Sequence, residues 1–147
     1  MVSAAQSHQV LRENHPKLLP LLYESFVRDF VTPDSDRSLE RLARNRFPVF
    51  SYDGPLCMRY IRYWIEKGHA RIGEALAPEY LVAFDALDAA LGHPGHVLAF
   101  RTVPGDLLFI DNTTAAHDRD AVDDDLASPR LMLRLWLNRR AAFQTTT

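Results

Sequence analysis

Near its end the chain runs Arg130-Leu131-Met132-Leu133-Arg134-Leu135-Trp136-Leu137, alternating without a break. A strict period of two is the mark of a β-strand with two unlike faces. It puts Leu131, Leu133, Leu135 and Leu137 on one side and Arg130, Met132, Arg134 and Trp136 on the other. The leucine face requires a core. The other face sets two guanidiniums four residues apart, permanently charged and each presenting a planar fork of donors, so it calls for carboxylates. Upstream, Gly105-Asp106-Leu107-Leu108-Phe109-Ile110-Asp111-Asn112 reads as another strand and leads to His117. Taken singly, the arginine strand is an ordinary half-buried strand with a wet face, and His117 a solvated loop residue. Taken together, they suggest a metal and anion site.

The rest of the chain supplies helices and short strands. Residues 4–25 read as helical, with Val10, Leu11, Leu18, Leu19, Leu22 and Phe26 at helical spacing, and His15-Pro16 divides them into two short helices. Residues 32–46 open on Thr-Pro-Asp-Ser-Asp-Arg-Ser and are expected to form an exposed loop whose arginines at 37, 41, 44 and 46 are solvated, with a substrate lid as the minor alternative. Phe47 to Tyr52 reads as a strand, Asp53-Gly54 as its turn, and Leu56 to Tyr60 as the returning partner. The aromatic run from Arg59 to Ile65 could stack a ligand, but a buried strand or helix edge is the simpler reading. A helix starting at Pro78 and closed by Gly92 and Pro94 carries Leu81, Phe84, Leu87 and Leu91 in one stripe. Val97 to Val103 reads as a strand, Pro104-Gly105 as a tight turn, and Asp106 to Asn112 as the next strand. Residues 141–147 are a tail.

Several constellations invite a function and are better read plainly. His93 and His96 flank a Pro-Gly turn three residues apart, with no third ligand nearby in the sequence. The acidic run Asp118, Asp120, Asp123, Asp124 and Asp125 lacks the central glycine and closing glutamate of a calcium loop, which leaves a solvated connection. Cys57, the single cysteine, excludes an intrachain disulfide and, in Leu56-Cys57-Met58, reads as a buried thiol.

Composition narrows the function class. A chain of 147 residues with 47% hydrophobic and 24% charged residues is sized for one domain with a core, here residues 1–147. A net charge of −2, with lysines and arginines dispersed, gives no field for nucleic acid. No apolar run is long enough for a membrane span and the first residues lack a secretory layout, so the expected location is the cytoplasm.

Gly105-Asp106-Leu107-Leu108-Phe109-Ile110-Asp111-Asn112, His117, the acidic loop, and Arg130-x-x-x-Arg134-Leu135-Trp136-Leu137 together resemble the C-terminal signature of the taurine dioxygenase-like (TauD/TfdA) family of iron(II)- and 2-oxoglutarate-dependent dioxygenases. Val2-Ser3-Ala4-Ala5 with His15-Pro16-Lys17-Leu18-Leu19, and Phe47-Pro48-Val49-Phe50-Ser51, extend the resemblance over nearly the whole chain. The resemblance implies that His117 is the distal iron ligand, that Arg130 clamps the far carboxylate of 2-oxoglutarate, and that Arg134 lies near substrate and co-substrate. In such a site a 2-His-1-carboxylate triad leaves iron positions open for the 2-oxo acid and oxygen.

The family's other two ligands come from an upstream His-x-Asp or His-x-Glu, and no histidine here, at 8, 15, 69, 93, 96 or 117, has an acid two residues on. The expectation is therefore the C-terminal part of such an enzyme, inactive alone. Its fold would be a partial double-stranded β-helix, a jelly roll of the clavaminate synthase-like kind, lacking its N-terminal strands, with flanking helices. The complete enzyme would hydroxylate a small, charged molecule. The alternative is a non-catalytic half-cupin that binds an anion or a partner chain. Exposed strand edges would promote self-association.

Overall fold

The structure is a computed structural model, and it describes residues 1–29, 38–119 and 131–137. The first helix, α1 (Ala4–Asn14), ends at His15, immediately before Pro16, as the sequence requires. A 3₁₀ turn follows at Leu19–Tyr23. Helix α2 (Leu39–Arg44) occupies part of the segment expected to be loop, and Ser38 caps it by accepting a hydrogen bond from the Arg41 amide. The polar composition that suggested a loop is thus a cap followed by one short amphipathic turn that buries Leu42. The remainder of the expected loop, residues 30–37, lies outside the described residues, as does the tail. Helices α3 (Arg62–Ile72) and α4 (Pro78–Gly92) complete the set among the described residues. Pro78 opens α4 where its missing N–H costs nothing, and Gly73 ends α3 with φ of 72°, a left-handed conformation that favours glycine.

Among the described residues the strands pair in three antiparallel couples. Val2–Ser3 (β1) pairs with Ala115–Ala116 (β6), Ser25–Val27 (β2) with Arg46–Pro48 (β3), and Phe50–Tyr52 (β4) with Leu56–Met58 (β5). The expected hairpin is present as β4 and β5 around Asp53-Gly54. The single strand expected from Phe47 to Tyr52 is two strands serving different sheets. The break falls after Pro48, which has no N–H to give a ladder. Val49 then turns away, its amide bonding to Leu22 O at 3.0 Å and its carbonyl accepting from Arg59 at 2.8 Å.

The last third departs furthest from expectation. Residues 97–103, 106–110 and 131–137 form no strand, and the described residues form no closed barrel. The Pro104-Gly105 turn is present, with the Asp106 amide on Val103 O at 3.1 Å. Leu131, Leu133, Leu135 and Leu137 are 85%, 84%, 85% and 73% exposed, so their common face covers no core. Alternation specifies a strand only where a neighbouring strand accepts the ladder, and among the described residues these segments have only the pair of bonds between Leu98 and Met1.

The core lies between α1, the 3₁₀ turn, the β4–β5 hairpin, α3 and α4. Leu11, Leu22, Phe50, Ile65, Phe84 and Leu87 are fully buried there. Each such side chain contributes roughly 1.5–3 kcal/mol through removal from water. Cys57, expected in this core, is only half-buried on β5.

A second contact zone sets α3 on β2. Gly68 lies so close to the strand that a Cβ there would stand 2.8 Å from the Asp29 amide nitrogen and 3.0 Å from Val27 O. Beside it, Asp29 N–H bonds to Trp64 O at 2.9 Å and Val27 N–H to His69 Nε2 at 3.1 Å. Gly68→Ala should therefore force backbone apart and destabilise the fold by about 1–3 kcal/mol. Urea unfolding monitored by circular dichroism measures this, and a change near zero would refute the close approach.

Candidate functional site

The segment that leads to His117 is shaped by Asp111. Its carboxylate accepts hydrogen bonds from the Thr113 amide at 2.9 Å and the Thr113 hydroxyl at 2.6 Å, and its carbonyl accepts from Thr114 N and Ala115 N, both at 3.1 Å. This is a side-chain-stabilised turn, which explains why the apolar run from Leu107 ends at Asp111 rather than continuing as strand. Beyond the turn, β6 is fastened to the N-terminal region. Val2 opposes Ala116, and the first amide of α1, at Ala4, donates to Thr114 O at 2.9 Å. That bond satisfies one of the helix's otherwise unpaired amides and fixes the turn at once. On the other side Met58, at the end of β5, donates to Thr113 O at 2.7 Å. His117 follows directly, so three elements distant in sequence position it.

His117 is partly buried, and its Nε2 lies 2.9 Å from Asn112 Oδ1. The amide oxygen can only accept, so Nε2 carries the proton and Nδ1 presents the lone pair. The imidazole is thereby oriented with one nitrogen free to ligate. Among the described residues no group of three or more His, Cys, Asp or Glu is arranged to hold a metal ion. One imidazole does not make a facial iron site, and the described residues do not fit the metal by themselves.

Arg130 lies outside the described residues, so its separation from His117 has no value here. Arg134 is exposed with its guanidinium 5.7 Å from the Trp136 ring centroid, a cation–π contact on the face assigned to both residues by alternation. The acidic connection is described only as far as Arg119. His93 and His96 form the plain turn expected, Gly95 N–H bonding to His93 Nδ1 at 3.1 Å and the two rings 4.5 Å apart. Met1 O accepts from Leu98 N at 2.8 Å just beyond them.

An open hollow of about 410 Å³ lies elsewhere, lined by Glu66, His69, Glu74 and Leu76 among others. His69 is fully engaged there, Nε2 accepting from Val27 N and Nδ1 donating to Glu74 O at 3.1 Å, so neither nitrogen is free for a ligand. The aromatic run also resolves into structure. Tyr60 packs on Phe84 and donates to Asp88 at 2.8 Å, while Arg62 bridges Glu66, Asp85 and Asp88 and ties α3 to α4. Burial, then the hydrogen bond to Asp88, pushes the Tyr60 hydroxyl far up.

These observations frame the comparison with known proteins. The family model described as Taurine catabolism dioxygenase TauD, TfdA family matches residues 1–136. The chain belongs to this family. FR-33289 synthase of Streptomyces rubellomurinus is 28% identical to it, over 94% of this chain and 42% of that protein. The chain thus spans less than half the length of this relative.

Sequence reasoning did not find the cluster of His8, Tyr23, Phe50 and Tyr52. His8 Nε2 lies 2.7 Å from the Tyr23 hydroxyl, and its ring meets Phe50 edge-on at 5.1 Å. Burial and then the charge of Arg12 lower the His8 pKa below its ordinary 6.5, and burial with the Tyr52 hydroxyl pushes Tyr23 up to about 12. The only available signal was helical periodicity, since Leu11 and His8 share the inward face of α1. The native state favours neutral His8, so stability should be full above pH 6.5 and fall as pH drops below it, where the unfolded chain takes up a proton the folded one resists. Histidine Cε1–H shifts followed by NMR should show His8 titrating below 6.5. Titration at or above 6.5 would contradict the burial argument.

Proposed function

We propose that this chain forms the C-terminal part of an iron(II)- and 2-oxoglutarate-dependent dioxygenase, with His117 as one iron ligand, Arg130 binding the distal carboxylate of 2-oxoglutarate and Arg134 beside the substrate. The observation that carries the reading is family membership over residues 1–136 joined to an oriented His117 whose Nδ1 is free. The complete enzyme couples oxidative decarboxylation of 2-oxoglutarate to hydroxylation of a small, charged molecule. This chain's residues supply one neutral imidazole and two guanidiniums, and the remaining iron ligands come from a His-x-Asp or His-x-Glu outside it. The fold of the whole would be a jelly roll, with residues 97–103, 106–110 and 131–137 gaining partners for their unpaired ladders.

A second reading accounts for the apolar side chains exposed in the last third of the chain. In it the chain is a non-catalytic half-cupin that binds an anion or a partner chain. The exposed apolar residues at 98, 100, 107–109, 131–133 and 135–137 would then drive self-association.

The two readings part in a succinate-release assay. With iron(II), ascorbate and 2-oxoglutarate, the isolated chain should give no more succinate than a metal-only blank, because one histidine cannot hold the ion against water and buffer. In a longer form carrying an upstream His-x-Asp, turnover should appear, His117→Ala should abolish it, and Arg130→Lys should raise the 2-oxoglutarate requirement, since a point charge loses bidentate geometry. Silence of the longer form would favour the half-cupin.

A further inference from the structure

Four arginines in this structure meet carboxylates among the described residues. Arg44 pairs with Glu40, Arg46 with Glu74, Arg62 with Glu66, Asp85 and Asp88, and Arg71 with Asp29. Arg28 and Arg59 depart from that pattern, and among the described residues neither has an acidic partner. Arg28 follows β2 and is half-buried; Arg59 follows β5 and is exposed. The Arg28 Nη2 donates to Pro48 O at 3.0 Å and to the backbone carbonyl of Arg59, which sets its guanidinium against the Arg59 backbone. Its Nε is buried without any partner. Its Nη1 makes no hydrogen bond, yet is not enclosed as Nε is. Arg59 stacks its guanidinium over the Phe47 ring, 5.4 Å from the centroid, which holds the charge beside the strand rather than out in water.

Two cations brought together, one of them largely out of water, are unfavourable unless a negative charge joins them. Burial, and then the charge of Arg59, lower the Arg28 pKa to about 10, which is the same frustration expressed as a proton affinity. The two carbonyls that Arg28 clamps account for Nη2 alone. They bring partial charge and leave the remaining donor edge open.

We propose that Arg28 and Arg59 form a binding site for a small oxyanion, a carboxylate or phosphate-like group bridging the free Nη1 of Arg28 and the guanidinium of Arg59. Guanidiniums suit either shape because their donors are coplanar and forked, and charge-assisted hydrogen bonds in a partly desolvated place are the strong ones. The site is separate in residues from the Arg130 and Arg134 pair. It also sits at the end of the hairpin strand whose Met58 holds Thr113, so an anion bound there would brace the segment leading to His117.

The test is NMR titration of the arginine Nε–Hε signals of the whole chain with inorganic phosphate and, separately, acetate, at fixed ionic strength so that general screening is constant. Saturable shifts of the Arg28 and Arg59 signals are expected with at least one anion. Tighter phosphate binding assigns a tetrahedral ligand, and tighter acetate binding a planar one. Arg28→Met could loosen the fold by freeing Pro48 O, so the deciding variant is Arg59→Gln, whose side chain is exposed. It should weaken binding about tenfold or more, the worth of one good charge-assisted contact. Arg44→Gln, on α2, should leave the affinity unchanged. Linear, unsaturated shifts with both anions, or equal affinity in Arg59→Gln, would overturn the proposal.

Discussion

The close approach of α3 to β2 is the constraint on which the arrangement depends. A helix cannot lie backbone-against-backbone on a strand unless the residue facing it has no side chain, and Gly68 is that residue. Once the approach is made, His69 Nε2 takes up the amide of Val27 in β2 and Trp64 O that of Asp29 just beyond it, both of which would otherwise be unpaired. β2 then presents its other edge to β3, and β3 passes through Val49 to the hairpin of β4 and β5. The half-buried Asp29–Arg71 and Lys67 contacts, and Arg28 on the opposite flank, follow from the same placement.

How much of this was legible depended on whether the signal was local. α1 and its stop, and α4, were readable because Pro16, Pro78 and Gly92 act through their own backbone. The β4–β5 hairpin was readable from Asp53-Gly54 for the same reason. α2 was missed because a single capping serine inside a polar run was outweighed by its composition. Splitting one expected strand into β3 and β4 could not be foreseen without knowing that Leu22 O and Arg59 N wait for Val49. The alternating segments of the last third were read correctly as pattern and wrongly as structure, since a ladder needs a neighbour and the sequence of one strand does not supply it.

The candidate site shows the same division. His117 was identified through resemblance to a family, and the chain belongs to that family. Its orienting partner Asn112 lies within the motif quoted for it, yet the bond between them is visible only in three dimensions. Arg28 and Arg59 were passed over because nothing in the sequence near either marks the loss of a counter-ion. Unpaired charge is a property of surroundings rather than of spacing.

The pairing of β1 with β6 carries a consequence for how the chain assembles. Val2 meets Ala116, so the two halves of this ladder are separated by almost the entire intervening sequence. Closing so large a loop is entropically slow and rewarded by few hydrogen bonds, which places the event late in folding, after the helices and the β4–β5 hairpin have formed. During synthesis the residues of β1 must remain available until β6 has left the ribosome. The geometry around His117 is therefore among the last features of the molecule to be set and, under mild stress, among the first to be lost.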